Sequence, residues 1–268
     1  MILKFTKMHG CGNDYIYVNC FEQTVESPEE LSRRLSDRHF AVGSDGLVLI
    51  CPSDIADCKM RIFNADGSEA PMCGNAVRCV GKYVYDRGIA KEDIIKVETL
   101  SGIKTLAMQI EDGVAVGATV CMGAVKLWTD APEALDIPDC PPYTGVDVGA
   151  LHAVMLVSDV EHFPIASIGP SVEKHRRFPD GVNADFMHVR ADGEIDLRIW
   201  ERGSGETLAC GTGACASAVT ACAICGFERE KEICVHMRGG DLYITLKNDD
   251  VVFMRGPATY AYEGVITL

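Results

Sequence analysis

The sequence predicts an α/β (α+β) protein of two pseudo-symmetric domains, each a curved sheet or barrel around a central helix. Three observations carry that prediction: an internal repeat, the run of β signals behind each copy of it, and a composition suited to a packed core. The repeat has an offset of 137 residues. Arg61-Ile62-Phe63 matches Arg198-Ile199-Trp200, Glu69 matches Glu206, and Cys73-Gly74 matches Cys210-Gly211 (210 − 73 = 137), without a gap. A constant period of this kind marks a duplicated structural unit.

Each half then reads alike. A short strand (59–63; 196–200) leads into a polar, Gly-rich loop, then Cys-Gly, then a helix (75–85; 212–224). Alternating or continuous apolar runs follow at 94–99, 103–110 and 113–120, and again at 233–237, 241–246 and 251–254, separated by turn residues such as Ser101-Gly102 and Gly239-Gly240. Ahead of the cysteines, Gly12-Asn13-Asp14-Tyr15 aligns with Gly149-Ala150-Leu151-His152 at the same offset. The expected domains are 1–118, with 259–268 returning to it, and 119–258. A proline-rich, linker-like stretch lies at 131–143.

Of the 268 residues, 47% are hydrophobic and 24% charged, the balance of a globular protein. Lys and Arg number 25 against 39 Asp and Glu, a net charge of −14, which disfavours nucleic acid and membrane surfaces as partners. The first residues lack a secretory signal and no apolar run reaches membrane-spanning length, so a cytoplasmic location is expected. Thirteen cysteines at irregular spacing do not form a disulfide framework in a chain this long. Cys11, Cys20, Cys51, Cys58, Cys79, Cys121, Cys140, Cys215 and Cys234 read as small buried hydrophobes. Cys222-Ala-Ile-Cys225 continues the second helix and lacks the other two ligands of a structural zinc.

Cys73 and Cys210 differ from the rest because they are symmetry mates at two helix starts. Unpaired N–H groups and the positive end of the macrodipole there favour an anion and are expected to lower a thiol pKa. Gly74 and Gly211 let a ligand approach the backbone, so a carboxylate suits the two helix starts together. Two acid/base groups on opposite faces of an amino-acid α-carbon invert it directly, one removing a proton and the other returning one. N–H donors at the carboxylate supply the electrostatic help that a cofactor gives elsewhere, so neither cofactor nor metal is expected at this site. The site is expected in the cleft between the domains. Rival readings fit less well. Gly211-Thr212-Gly213-Ala214-Cys215-Ala216 has dinucleotide-binding spacing but follows a polar loop instead of a strand. A thiol hydrolase using His152 leaves the second Cys-Gly unexplained.

At these residues the chain resembles the diaminopimelate epimerase family. The resemblance rests on Phe5-Thr-Lys-Met-His-Gly-Cys-Gly-Asn-Asp14, Asp37-Arg-His-Phe-Ala-Val-Gly-Ser-Asp-Gly46, Asn64-Ala-Asp-Gly-Ser-Glu69, Met72-Cys-Gly-Asn75 and Glu201-Arg-Gly-Ser-Gly-Glu-Thr-Leu-Ala-Cys-Gly-Thr-Gly213. Proline racemases and hydroxyproline epimerases share the fold and the cysteine pair but typically carry His where this chain has Asn75. The resemblance implies interconversion of LL- and meso-diaminopimelate, on the route to lysine and peptidoglycan, with Cys73 and Cys210 as base and acid. It assigns backbone N–H groups of Gly74, Asn75, Gly211 and Thr212 to the reacting carboxylate, and Asn13 to the reacting end. Asn64, Asn183, Arg202 and Glu201 are assigned to the distal end, and His152 and Glu201 to tuning the thiols. A homodimer is likewise implied. The chain departs from the family pattern at Ala150, where Asn is usual; Ala150 is the symmetry mate of Asn13. That departure makes racemisation of another amino acid, such as histidine, the alternative.

Overall fold

The computed structural model describes residues 2–268. Two compact units divide the chain: one runs to Val120 and resumes from Gly256 to Leu268, and the other is Cys121–Arg255.

In the first unit, strands β1 (Ile2–Gly10) and β2 (Asn13–Asn19) form a hairpin, followed by helix α1 (Pro28–Leu35), β3 (Gly46–Cys51), β4 (Cys58–Asn64), the short β5 (Glu69–Ala70) and helix α2 (Gly74–Asp86). β6 (Ile94–Thr99), β7 (Gly102–Glu111) and β8 (Val114–Ala124) complete it. Neighbouring strands run β1-β2-β3-β4-β6-β7-β8, in the sequence antiparallel, parallel, antiparallel, parallel, antiparallel, antiparallel.

The second unit holds β9 (Lys126–Leu127), β10 (Tyr143–Asp147), β11 (Leu151–Leu156), helix α3 (Ile165–Glu173), β12 (Asn183–Val189), β13 (Ile195–Glu201) and β14 (Gly205–Glu206). Helix α4 (Gly211–Ile224), β15 (Glu232–Met237), β16 (Gly240–Leu246) and β17 (Val251–Pro257) follow. Its strands β10-β11-β12-β13-β15-β16-β17 repeat the same series of parallel and antiparallel pairings. The duplication read from a handful of residues is thus a duplication of topology.

The chain path is also exchanged. β9, which follows the last strand of the first unit, pairs with β10 in the second. β18 (Thr259–Thr267), which follows the last strand of the second unit, pairs with β1 from Ile2↔Thr267 to His9↔Thr259.

Each central helix is enclosed by its own sheet. α2 touches β1, β2, β4, β6 and β7, and every residue from Gly74 to Tyr85 is buried. α4 touches β10, β11, β12, β13, β15 and β16. Burial on all sides excludes a polar helix face, and α4 meets this with Gly, Ala, Cys, Ser and Thr in its first two turns. Small side chains let strand and helix close up; a methyl group on Gly213 would sit 2.4 Å from Ile199 Cδ1.

α1 and α3 cover the outer faces. Leu31 and Leu35 pack with Leu3, Ile16, Val18, Leu47, Leu49 and Phe63, and Ile165, Ile168 and Val172 pack with Ala184 and Phe186. β3 is therefore covered on both faces, which explains its continuous apolar run. The sequence reading did not assign α1 or α3. Both are under ten residues, and Pro170 inside α3 disguises it. Of the nine cysteines read as buried, Cys11, Cys58, Cys79 and Cys215 are; Cys20, Cys51, Cys121, Cys140 and Cys234 are half-buried. Among the described residues no helix is long and apolar enough to cross a membrane.

The register between β3 and β4 gives a direct test. Gly46 lies opposite Asn64, and a Cβ there would stand 2.0 Å from the Phe63 carbonyl oxygen, which is backbone and cannot swing away. Gly46→Ala is expected to cost about 3 kcal/mol of stability by urea unfolding, as overpacking against a fixed neighbour does. An unchanged unfolding midpoint would contradict this register.

Candidate active site

The residues shared by the repeat become a structural device. Arg61 Nε and Nη2 donate to Glu69 at 2.8 and 3.0 Å, and Arg198 Nε donates to Glu206 at 2.7 Å. These pairs brace the β4–β5 and β13–β14 hairpins, the loops that deliver Cys73 and Cys210. Each cysteine is the N-cap residue of its enclosed helix, with extended backbone (φ −138°, ψ 123°; φ −128°, ψ 114°), and neither side chain caps the helix by a hydrogen bond. The first-turn N–H groups of α2 therefore have no side-chain acceptor from the N-cap, whereas in α4 the Gly213 N–H approaches the Cys210 sulfur.

In the first unit, Cys73 Sγ lies 3.4 Å from Asn13 Oδ1, and Asn75 Nδ2 donates to the same oxygen at 3.4 Å. Asn13 is itself held by Nδ2 donating to Asp45 Oδ2 at 2.7 Å. Asn75 is oriented by Arg78, a fully buried guanidinium that donates to Asn75 Oδ1 (2.8 Å) and to the carbonyls of Gly74 (3.0 Å) and Pro257 (3.2 Å). Tyr15 is buried beside Cys73; burial, then the nearby Cys73 and Asp45, push its phenol well above its ordinary value. The structure thus brings Asn13, Cys73, Gly74 and Asn75 together. Asn64 ends β4 opposite Gly46, exposed, and donates through Nδ2 to Ser68 Oγ at 3.0 Å.

The second unit surrounds its thiol differently. Cys210 is buried, with Sγ 3.3 Å from Thr212 Oγ1. The half-buried Glu201 faces it and takes hydrogen bonds from the Thr207 hydroxyl and the Cys210 thiol. Beneath them, His152 Nδ1 is 2.7 Å from Asp185 Oδ2, both side chains fully buried. Asn183 Nδ2 reaches His152 Nε2 (3.4 Å) and the Leu151 carbonyl (3.1 Å). Its Oδ1 accepts the Arg202 backbone N–H at 2.9 Å, while the Arg202 guanidinium donates to the Asp180 carbonyl at 3.0 Å. With Nδ1–H directed to Asp185, the imidazole presents Nε2 to Asn183 as an acceptor.

The electrostatics correct one expectation. A helix start was expected to lower the thiol pKa, but burial, followed by the carboxylates of Glu201 and Asp185, pushes Cys210 well above its ordinary value. Thr212 and the Gly213 N–H oppose this without overcoming it. Burial likewise raises Glu201, against the Thr207 hydroxyl and the Cys210 thiol, and raises Asp185 against the pull of His152. Glu201 is engaged with the Cys210 thiol and the Thr207 hydroxyl. Ala150 sits in the β10–β11 turn after Gly149 (φ +86°), as Asn13 follows Gly12 (φ +79°), and contributes a methyl where Asn13 contributes an amide.

Sequence reasoning missed Asp185, Tyr15, Arg78 and Asp45. Asp185 had a signal: a lone carboxylate within Asn-Ala-Asp-Phe-Met, where alternation leaves it only a buried face. Tyr15 had another, as the symmetry mate of His152 (152 − 15 = 137).

This fold is similar to that of a Bacillus anthracis phenazine biosynthesis protein (TM-score 0.78, 18% identity, 100% of both chains). It is also similar to that of an Agrobacterium vitis hydroxyproline epimerase (TM-score 0.76, 15% identity, 100% of this chain and 93% of the other). These likenesses define the class, a duplicated α/β fold whose units each enclose a helix. The family model described as diaminopimelate epimerase matches residues 5–128 and 144–261. A protein named diaminopimelate epimerase from Acetivibrio thermocellus is 49% identical over 280 residues, 99% of each chain, and one from Methanococcus maripaludis is 48% identical over 279 residues, 99% of this chain and 100% of the other. The chain belongs to the diaminopimelate epimerase family.

The raised Glu201 makes a pH prediction. A carboxyl whose folded pKa exceeds its unfolded value of about 4.5 stabilises the fold below that value, and the contribution is lost as pH rises through the folded value. The stability of the unmodified protein relative to Glu201→Gln should therefore fall as pH rises above about 4.5, measured by urea unfolding at several pH values. A difference that does not change with pH would show that Glu201 is not desolvated in the fold.

Proposed function

We propose that this chain interconverts LL- and meso-diaminopimelate, with Cys73 and Cys210 as the two acid/base groups. The observation that carries the proposal is the matched station of the two thiols. Each is the N-cap of an enclosed helix, at the end of an Arg–Glu braced hairpin, in one half of a duplicated fold. Relatives at 48–49% identity over essentially the whole chain, all named for this activity, support diaminopimelate over histidine or another amino acid despite Ala150.

In this reading the substrate carboxylate is received by first-turn N–H groups of Gly74, Asn75, Gly211 and Thr212. Those donors stabilise the negative charge that grows when the α-proton leaves. Cys210, held as a thiol by burial and by Glu201, is the proton donor of the resting protein. Cys73, once the thiol proton it directs to Asn13 Oδ1 has passed to solvent, is then the base, and the roles exchange in the reverse direction. His152 and Asp185 act through Glu201 and Cys210 as positioning residues. Asn183 and Arg202, linked to each other by a hydrogen bond, supply the polar groups for the distal amino-acid end, with Asn64 as their counterpart on the first half.

Cys73→Ser and Cys210→Ser should each lower epimerisation by about a thousandfold or more while leaving the far-ultraviolet circular dichroism unchanged, the scale at which a positioned acid or base contributes. Hydrogen exchange at the α-carbon of diaminopimelate in deuterated water reads the chemistry directly. Full activity in either variant would overturn the two-thiol mechanism. Exchange with histidine but not with diaminopimelate would overturn the substrate.

A further inference from the structure

One outward-facing cluster in the second unit has no part in this chemistry. β15 alternates, so that Ile233 and Val235 enter the core while Cys234 and His236 share the opposite face. Register brings partners to both. Ile195 pairs with Val235 in parallel, which sets Glu194 beside Cys234, and Asp241 of β16 stands opposite His236. Glu194, Cys234 and His236 each offer one ligand atom, and these atoms lie within 4.8 Å of one another. His236 Nε2 is 2.7 Å from Glu194 Oε2, its Nδ1 is 2.8 Å from Asp241 Oδ1, and Cys234 Sγ is 3.9 Å from Nδ1.

The same station in the first half is built otherwise. There Cys58 pairs with Val97 as Ile195 pairs with Val235, which places Asp57, Lys96 and Glu98 where the second half has Glu194, Cys234 and His236. That set is an ordinary charged surface, with Glu98 paired to Lys59 at 2.9 Å. The second half has a thiol and an imidazole in place of a lysine and a glutamate. An ion-pair network accounts for the imidazole and the carboxylates, while the thiol lies against the His236 ring and hydrogen-bonds with the Tyr243 hydroxyl.

We propose that Glu194, Cys234 and His236 form a binding site for a divalent cation of the zinc class. A mixed sulfur, nitrogen and oxygen donor set suits a borderline-soft ion, and three protein donors leave a fourth position for water or for Asp241. One thiolate and one carboxylate neutralise the two positive charges, so a half-buried site carries no net charge. Binding breaks the Cys234 S–H bond and displaces the proton from the coordinating ring nitrogen, both protons passing to solvent, with no change in oxidation state. Arg190 holds the carboxylate side, pairing with Glu194 at 3.3 Å and with Asp196 at 2.7 Å. His236 also lines a cleft of about 460 Å³ with His188, Asp196, Arg198 and Arg238, which gives the ion an entry path.

Cobalt(II), which shares zinc's ligand preferences and is visible spectroscopically, tests the site on the metal-free full-length chain. One equivalent should produce a thiolate-to-cobalt charge-transfer band that zinc abolishes. Cys234→Ser should lose that band, and His236→Gln should bind more than about tenfold more weakly, the scale on which loss of even outer-shell support is felt. Both variants should keep their fold and their epimerase activity, because neither residue belongs to the paired thiol sites. Absence of a stoichiometric band, or a band undiminished in Cys234→Ser, would overturn the proposal. Should Cys234→Ser fail to fold, Glu194→Gln on the half-exposed turn takes its place, and equal cobalt affinity in that variant would overturn it.

Discussion

A helix enclosed by a sheet cannot leave its N-terminus to water, and the rest of this structure follows from that constraint. Three or four N–H groups per helix end need acceptors, and burying them without one costs on the order of 1–3 kcal/mol each. The usual remedy is a Ser, Thr, Asp or Asn side chain at the N-cap. Here the cap position is given to cysteine in both halves, a poor acceptor as a thiol. Under the proposed function the donors are thereby kept for the substrate carboxylate, with the thiol beside it, and stability at the helix start is given up for that site.

The two halves share topology but not electrostatics. In the first, an amide oxygen approaches the sulfur, and the nearby charges, Asp14, Arg38, Lys7 and Asp45, compensate one another. In the second, the half-buried Glu201 carboxylate meets the sulfur directly, and a fully buried His–Asp pair lies behind it. Removing His152 would leave the buried Asp185 carboxyl without its hydrogen-bond partner, a loss of about 1–3 kcal/mol. Equivalent backbones thus carry the two thiols into unequal surroundings, an asymmetry that the proposed pairing of one acid with one base can use.

Features with local periodicity were legible in the sequence. The strands from 94 to 120 and from 233 to 254, both central helices and the two Cys-Gly helix starts are written in spacing and turn residues. What was not legible depends on long-range pairing. Nothing near Asp185 names His152 as its partner, and nothing near Arg78 announces three acceptors that include the Pro257 carbonyl. The direction of the Cys210 shift was misjudged for the same reason. The helix start is visible locally, whereas the burial and the carboxylates that outweigh it exist only after folding. The Arg–Glu pairs are an instructive middle case. Their identity in both halves disclosed the repeat, but their purpose, bracing the loops ahead of the cysteines, required coordinates.

The exchange of strands has a consequence for synthesis. β1 is made long before its outer neighbour β18, and Ile2 can meet Thr267 only after the residues between them have emerged. The second unit, by contrast, holds all its residues once Arg255 has emerged. The half begun earlier is therefore finished after the other, and until β18 emerges β1 carries an open edge able to pair with other chains.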